Sequence, residues 1–288
     1  MRRRGAWLVA SLALLAAGCA RAEPPLWVVR DRDSELMLFG AVHLLPPGLD
    51  WRSRKLDRAV RRADDLWFEL PQEPATAEQA SRAALRAGLL PPDQRLSKLL
   101  APQDAQRLAR VALLYGVDPA MLEAFQPWLA EQALASAAYA RAAATAENGV
   151  EAAISAAAPK RVARRAFETP AEQIGFFAAT PLREQIASLN QTVRDMESEP
   201  DEFALLVQAW MGGDVDAIDR LALQPLAASA PTLFQRLVAE RNARWAAQLD
   251  ARLKGRGRTV VVVGLGHLVG PEGLPERLRA LGYSVKGP

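Results

Sequence analysis

The chain has 288 residues, with 36 Lys+Arg against 33 Asp+Glu, two histidines and one cysteine. Four of the arginines and none of the acids fall in residues 1–22, so the rest of the chain carries 32 basic residues against 33 acidic ones and no electrostatic footprint for nucleic acid. The single cysteine, Cys19, excludes a disulfide within the chain, and no later run of 18 or more uncharged apolar residues supplies a transmembrane helix.

The start, Met1-Arg2-Arg3-Arg4 followed by an apolar run from Ala6 to Ala17, is too short to stay in a bilayer as a spanning helix and reads as a secretory signal. Two processing sites compete. Ala20-Arg21-Ala22 is a small-x-small site, the preferred one, and leaves Glu23 as the first mature residue; Ala16-Ala17-Gly18-Cys19 is a lipoprotein box with alanine where leucine is usual, and would place a lipid on Cys19. The expected destination is the periplasm or the exterior, or by the second route a membrane-anchored lipoprotein. Signal or lipid is then the only membrane contact, and residues 23–288 suffice for a single domain.

After Pro24-Pro25, the runs Leu26–Val29 and Glu35–Phe39 flank five polar residues and predict a β-hairpin. The second strand delivers Gly40 and His43, Leu56, Val60 and Ala63 give a helical face, and Leu66–Leu70 reads as a third strand ending at Pro71. Glu69 is the odd residue there: an acid in an apolar strand either faces water at an edge or sits in a polar site with a partner.

From about 74 to 253 nearly everything predicts helix. Thr76 with Gln79 reads as a capping box, Pro102 as a first-turn proline and Gly116 as a stop. Asp118-Pro119 starts the next helix, Pro127 divides it from an alanine-rich segment, Trp128–Ala158, and Asp214 after two glycines reads as a cap. The end returns to strand at Thr259–Val263, helix from about Gly273 to Leu281, and a last strand at Tyr283–Lys286. The predicted class is α/β (α+β), a central sheet built from N- and C-terminal strands with a large helical insertion.

The only two histidines each follow a glycine by three positions at the end of an apolar run: Gly40-Ala41-Val42-His43 and Gly264-Leu265-Gly266-His267. The plain reading is two core histidines that happen to end strands. The functional one joins them into a single constellation, in which two imidazoles and the Glu69 carboxylate bind a divalent ion (manganese, cobalt or zinc) with positions open to water and substrate. Glycine permits the tight turns and the close backbone approach such a centre needs. The rival reading, a dinucleotide loop at Gly264-Leu265-Gly266 with Gly270, is disfavoured by the eighteen residues that follow Gly270, too few for the second half of such a unit.

Phe39-Gly40-Ala41-Val42-His43, Phe68-Glu69-Leu70, Phe167-Glu168-Thr169 with Gln173, Trp210 through Asp214, Glu240-Arg241-Asn242-Ala243-Arg244-Trp245, and Val263-Gly264-Leu265-Gly266-His267-Leu268-Val269-Gly270 with Gly282-Tyr283 resemble the ordered motifs of the TraB/GumN family, itself similar to the Tiki metalloproteases. The resemblance runs nearly the length of the mature chain. It implies a Tiki-like fold and a metal-dependent peptidase centre using His43, Glu69 and His267, with Arg241 nearby to orient Glu69 or to stabilise an oxyanion. Two positions depart from the family pattern: Ala166 stands where glycine is expected, and Glu151, after Gly149-Val150, where aspartate is common. Glu168, Gln173 and Trp210 read equally as helix-holding residues. The expected partner is a peptide or small-molecule substrate. Members of the wider superfamily associated with peptide-pheromone inhibition, haem binding and ester hydrolysis supply the alternative, a noncatalytic protein that sequesters a peptide or haem.

Overall fold

The computed structural model describes residues 23–288; the expected signal segment, with both processing sites and Cys19, lies outside the described residues. Six strands, β1 (Leu26–Arg30), β2 (Ser34–Ala41), β3 (Asp65–Phe68), β4 (Ala163–Ala166), β5 (Gly257–Gly264) and β6 (Ser284–Lys286), form one sheet in the order β4-β3-β5-β2-β1-β6. The predicted hairpin is β1 antiparallel to β2, and the Asp31 carboxylate closes its turn by accepting from the Ser34 amide and hydroxyl at 2.8 and 2.7 Å.

β5 lies between β2 and β3 and is parallel to both, and β4 is parallel to β3. Val260, Val261, Val262 and Val263 are at most 1 % exposed, which explains their unbroken apolar run: a central parallel strand is covered on both faces. The helices Arg54–Arg62, Val150–Ala157, Arg241–Leu253 and Leu274–Ala280 contribute Leu56, Ile154, Leu249 and Leu278 to the core around this sheet. A second apolar cluster lies wholly among the insertion helices, with Leu108, Val111, Leu134, Leu189 and Val193 at its centre. Among the described residues no helix is long and apolar enough to cross a membrane.

Three expectations need correction. The insertion is not purely helical: it supplies β4, an edge strand whose sequence, Ala163-Arg164-Arg165-Ala166, is largely exposed and carries no apolar alternation to announce it. The sheet is therefore built from both ends of the chain and its middle. Trp128–Ala158 is two helices, Pro127–Arg141 and Val150–Ala157; Ala143, at φ +52°, turns the chain between them, and the connection pairs Thr145 with Leu45 beyond β2. Thr76 and Gln79 form no capping box, because the helix Ala75–Gly88 already starts one residue earlier, with Pro74 as a cap that offers no side-chain acceptor.

Candidate functional site

The four parallel strands, β2, β3, β4 and β5, all end on one edge of the sheet, and the polar residues of interest leave from those ends. His43 lies two residues beyond β2, Glu69 directly after β3, Glu168 two beyond β4, and His267 in the single helical turn Leu265–His267 that follows β5. Register Ala41↔Gly264 brings the exits of β2 and β5 level, and Phe68↔Val262 sets that of β3 two residues short of them. The carboxyl ends of parallel strands are where open α/β sheets bind ligands. Gly264 shows why the first glycine of the second motif is needed. Its amide donates to Glu69 Oε1 at 2.6 Å, and a Cβ on it would stand 2.9 Å from both Glu69 Oε1 and His43 Nε2.

His267 is buried, with Trp245 packed 4.4 Å from it between ring centroids. Asn242 fixes its tautomer. The Asn242 amide nitrogen donates to the carbonyls of Glu272 and His267 at 2.7 and 3.2 Å, so its oxygen, 2.7 Å from His267 Nδ1, must accept. Nδ1 therefore carries the hydrogen and Nε2 the lone pair. Burial, with Arg241 and His43 adding to it against the opposing pull of Glu69, lowers the His267 pKa to about 3, so this ring is neutral.

Arg241 is the hub of the site, and it is 4 % exposed. Its Nε donates to both oxygens of Glu168 at 2.9 and 3.0 Å, and Nη2 to Glu69 Oε2 at 2.6 Å, with Glu168 Oε2 at 2.9 Å. Nη1 donates to the Leu237 carbonyl at 3.1 Å and to His267 Nε2 at 2.9 Å. Each nitrogen of the guanidinium thus has a partner, and the Trp245 ring lies under its plane at 4.6 Å. Glu168 also accepts from Trp245 Nε1 at 3.1 Å and Arg244 Nη2 at 3.2 Å, and Gln173 Nε2 reaches Glu69 Oε2 at 3.2 Å. Burial alone would raise the Glu69 pKa; Arg241 above all, with His43 and the Gly264 amide, outweighs it and holds this carboxylate ionised, well below the usual range.

His43 stands at the open side, its side chain 53 % exposed. Its Nδ1 is 2.5 Å from Glu151 Oε1, and the Glu151 charge raises the imidazole pKa to about 9 despite the opposing effect of desolvation. Gly149 permits this contact, because a Cβ there would collide with the His43 carbonyl oxygen. Trp210, by contrast, donates from its indole to the Gly40 carbonyl at 2.8 Å and holds its helix against the sheet, a structural role.

The two imidazoles converge. His43 Nε2 is 3.9 Å and His267 Nε2 3.8 Å from the same oxygen, Glu69 Oε1. Each ring has its Nδ1 tied to another side chain, the arrangement that orients histidine ligands in metal centres. Among the described residues no group of three His, Cys, Asp or Glu side chains stands as a ready-made metal cluster. The His267 lone pair is engaged by Arg241, and Glu69 Oε1 by the Gly264 amide. Two imidazoles and a carboxylate are donor types that divalent transition ions take, and His43, His267 and Glu69 are the residues that would hold one here.

These groups form the floor of a cleft of about 700 Å3. Its walls come from the insertion, with Leu129, Ile174, Phe177, Phe203, Leu206 and Leu226 prominent, and outside the floor they carry neutral polar groups such as Gln132 and Ser136 but no charged side chain. Sequence reading found His43, Glu69, His267 and Arg241, and the structure brings all four together. It missed Glu151, quoted only as a departure from a family pattern, and the parts played by Glu168, Gln173 and Asn242, whose partners lie far away in the chain.

A model of the TraB/PrgY/gumN family matches residues 25–287. No curated protein and no solved structure matches the chain.

Proposed function

The chain belongs to the TraB/PrgY/gumN family, and on that premise we propose that it is an exported metal-dependent hydrolase acting on a peptide or amide bond, with its centre at His43, Glu69 and His267. The observation that carries this reading is the approach of both Nε2 atoms to Glu69 Oε1, at 3.9 and 3.8 Å, from rings whose Nδ1 atoms are both anchored. When bound there, a divalent ion would polarise a carbonyl and bring the pKa of a coordinated water toward neutrality.

The chain's own groups have definable parts. Glu69, kept ionised by Arg241, supplies the negative charge that the two imidazoles, both neutral once His43 gives up its Nε2 proton to an ion, would lack, which favours a ligand's role over a base's. Glu168 and the Trp245 ring hold Arg241 still, so its positive charge is preorganised beside the reacting bond rather than assembled during reaction. The uncharged cleft walls suit an apolar peptide, with Gln132, Ser136 and Gln173 available to its backbone. Glu151 holds the hydrogen of His43 Nδ1 and so directs Nε2 at Glu69.

The test is a peptide-library digest by the mature chain, residues 23–288, with manganese, cobalt or zinc added, alongside metal analysis of the purified protein. Cleavage that needs the ion supports the proposal. Tight binding of peptide or haem with no turnover would instead favour a sequestering protein. Export is part of the same reading: mass spectrometry of the exported protein should find Glu23 as its first residue, and a diacylglyceryl mass on Cys19 would make it a lipoprotein.

A further inference from the structure

The His267 imidazole has one lone pair facing the site. Asn242 holds the hydrogen on Nδ1, so the lone pair is on Nε2, and Arg241 Nη1 donates to it at 2.9 Å. One lone pair cannot both accept this N–H and bind an ion. We propose that Arg241 is a latch on the centre: its Nη1 caps His267, and His267 becomes a ligand only when that single hydrogen bond is released.

Three features of the site make release local rather than disruptive. Glu168 grips Nε with both oxygens, at 2.9 and 3.0 Å, and Nη2 meets Glu69 Oε2 at 2.6 Å, so a small shift of the rigid guanidinium that opens the contact to His267 keeps both carboxylates within ion-pair reach. Nη1 also retains the Leu237 carbonyl at 3.1 Å. That carbonyl belongs to Gln235–Glu240, a π-helical turn running directly into Arg241–Leu253, and such widened turns recur at functional sites. The Trp245 ring, 4.6 Å from the guanidinium carbon, and the Phe176 ring, 5.7 Å away, give the cation faces to slide along.

The latch also has a clear use. Without it, a neutral His267 would leave its lone pair buried and unpaired, a state that costs free energy. With it, the ion-free centre is fully satisfied, and ions that bind too weakly to displace an arginine hydrogen bond are turned away.

This inference rests on the metal-centre reading, and the experiment separates the two. Zinc affinity would be measured by competition with a chromophoric chelator for the wild-type mature chain and for Arg241→Lys, which keeps a cation between Glu69 and Glu168 but has no second fork nitrogen for His267. The expected result is zinc binding by both, tighter in Arg241→Lys by roughly tenfold or more, the worth of one charge-assisted hydrogen bond. Equal or weaker binding by Arg241→Lys overturns the latch and leaves the metal centre standing; no binding by either protein overturns both. Should Arg241→Lys fail to fold, the wild-type chain still decides the matter. Nitrogen NMR of Arg241 during zinc titration should show the Nη1 resonance moving while Nε, held by Glu168, stays, and an Nη1 resonance unmoved at saturating zinc overturns the latch.

Discussion

Glu151 Oε1 lies 2.5 Å from His43 Nδ1, although 108 positions separate the two residues, and this contact decides the charge of the more exposed histidine. Glu151 is the largest cause of a His43 pKa raised from 6.5 to about 9. A raised histidine pKa means that the pair's contribution to stability is present below about pH 6.5 and is lost as pH rises through about 9. Glu151→Gln should return the His43 pKa toward its ordinary value, read by NMR titration of the imidazole; a value left near 9 would mean that Glu151 is not its cause.

The two histidines should also differ in what they surrender to a metal. His43 is protonated at neutral pH and must lose a proton from Nε2 to become a ligand, whereas His267, with its pKa lowered to about 3, is already neutral, and Glu69 is already ionised. Zinc binding at pH 7.5 is expected to release about one proton per ion. Calorimetry in buffers of different ionisation enthalpy measures it, and in Glu151→Gln the number should fall toward zero.

Gly264→Ala tests the close approach of backbone to the site. Gly264 has an ordinary φ of −49°, so the substitution brings no backbone strain; it brings a methyl group 2.9 Å from Glu69 Oε1 and His43 Nε2. The expected outcome is a folded protein destabilised by about 1–3 kcal/mol, with metal affinity and peptide turnover both reduced. Thermal unfolding and zinc titration together check this, and wild-type affinity would show that the space above Gly264 is not part of the centre.

Away from the site, Glu131 is a half-buried carboxylate in the helix Pro127–Arg141 whose pKa is raised by desolvation, against hydrogen bonds from Ser188 and Thr192, each at 2.8 Å. A carboxylate pKa raised on folding means that the native state holds the proton more tightly, so stability falls as pH climbs from about 4.5 through the raised value. Glu131→Gln keeps an oxygen for both hydroxyl donors. Its melting temperature should exceed the wild type's at pH 7.5, with the gap closing below pH 4.5; a gap independent of pH would place the effect elsewhere.

The fold was legible in the sequence wherever burial writes a pattern. Val260–Val263 announced a doubly covered strand, the two Gly-x-x-His turns announced the strand ends where His43 and His267 meet Glu69, and Asp214 capped its helix as read, accepting from the Ala217 amide at 2.9 Å. β4 was not legible, because an exposed edge strand of arginines and alanines needs no apolar period to be held by its neighbour's hydrogen bonds. In the site, His43, Glu69, His267 and Arg241 could be named because a histidine after a glycine or a charge in an apolar run is unusual. Glu151, Glu168 and Asn242 act through those four, and nothing local distinguishes an acid that holds an arginine 73 positions away from one that faces water.

Zinc stoichiometry tests most directly whether His43 and His267 belong to one centre. It should be measured on the mature chain and on His43→Ala and His267→Ala separately, each checked for native circular dichroism. One ion per wild-type chain and none, at the same free zinc, in either variant is the predicted result, since Glu69 with a single imidazole leaves the ion short of ligands. Full stoichiometry and affinity retained in both single variants would contradict the account and place any metal site elsewhere in the molecule.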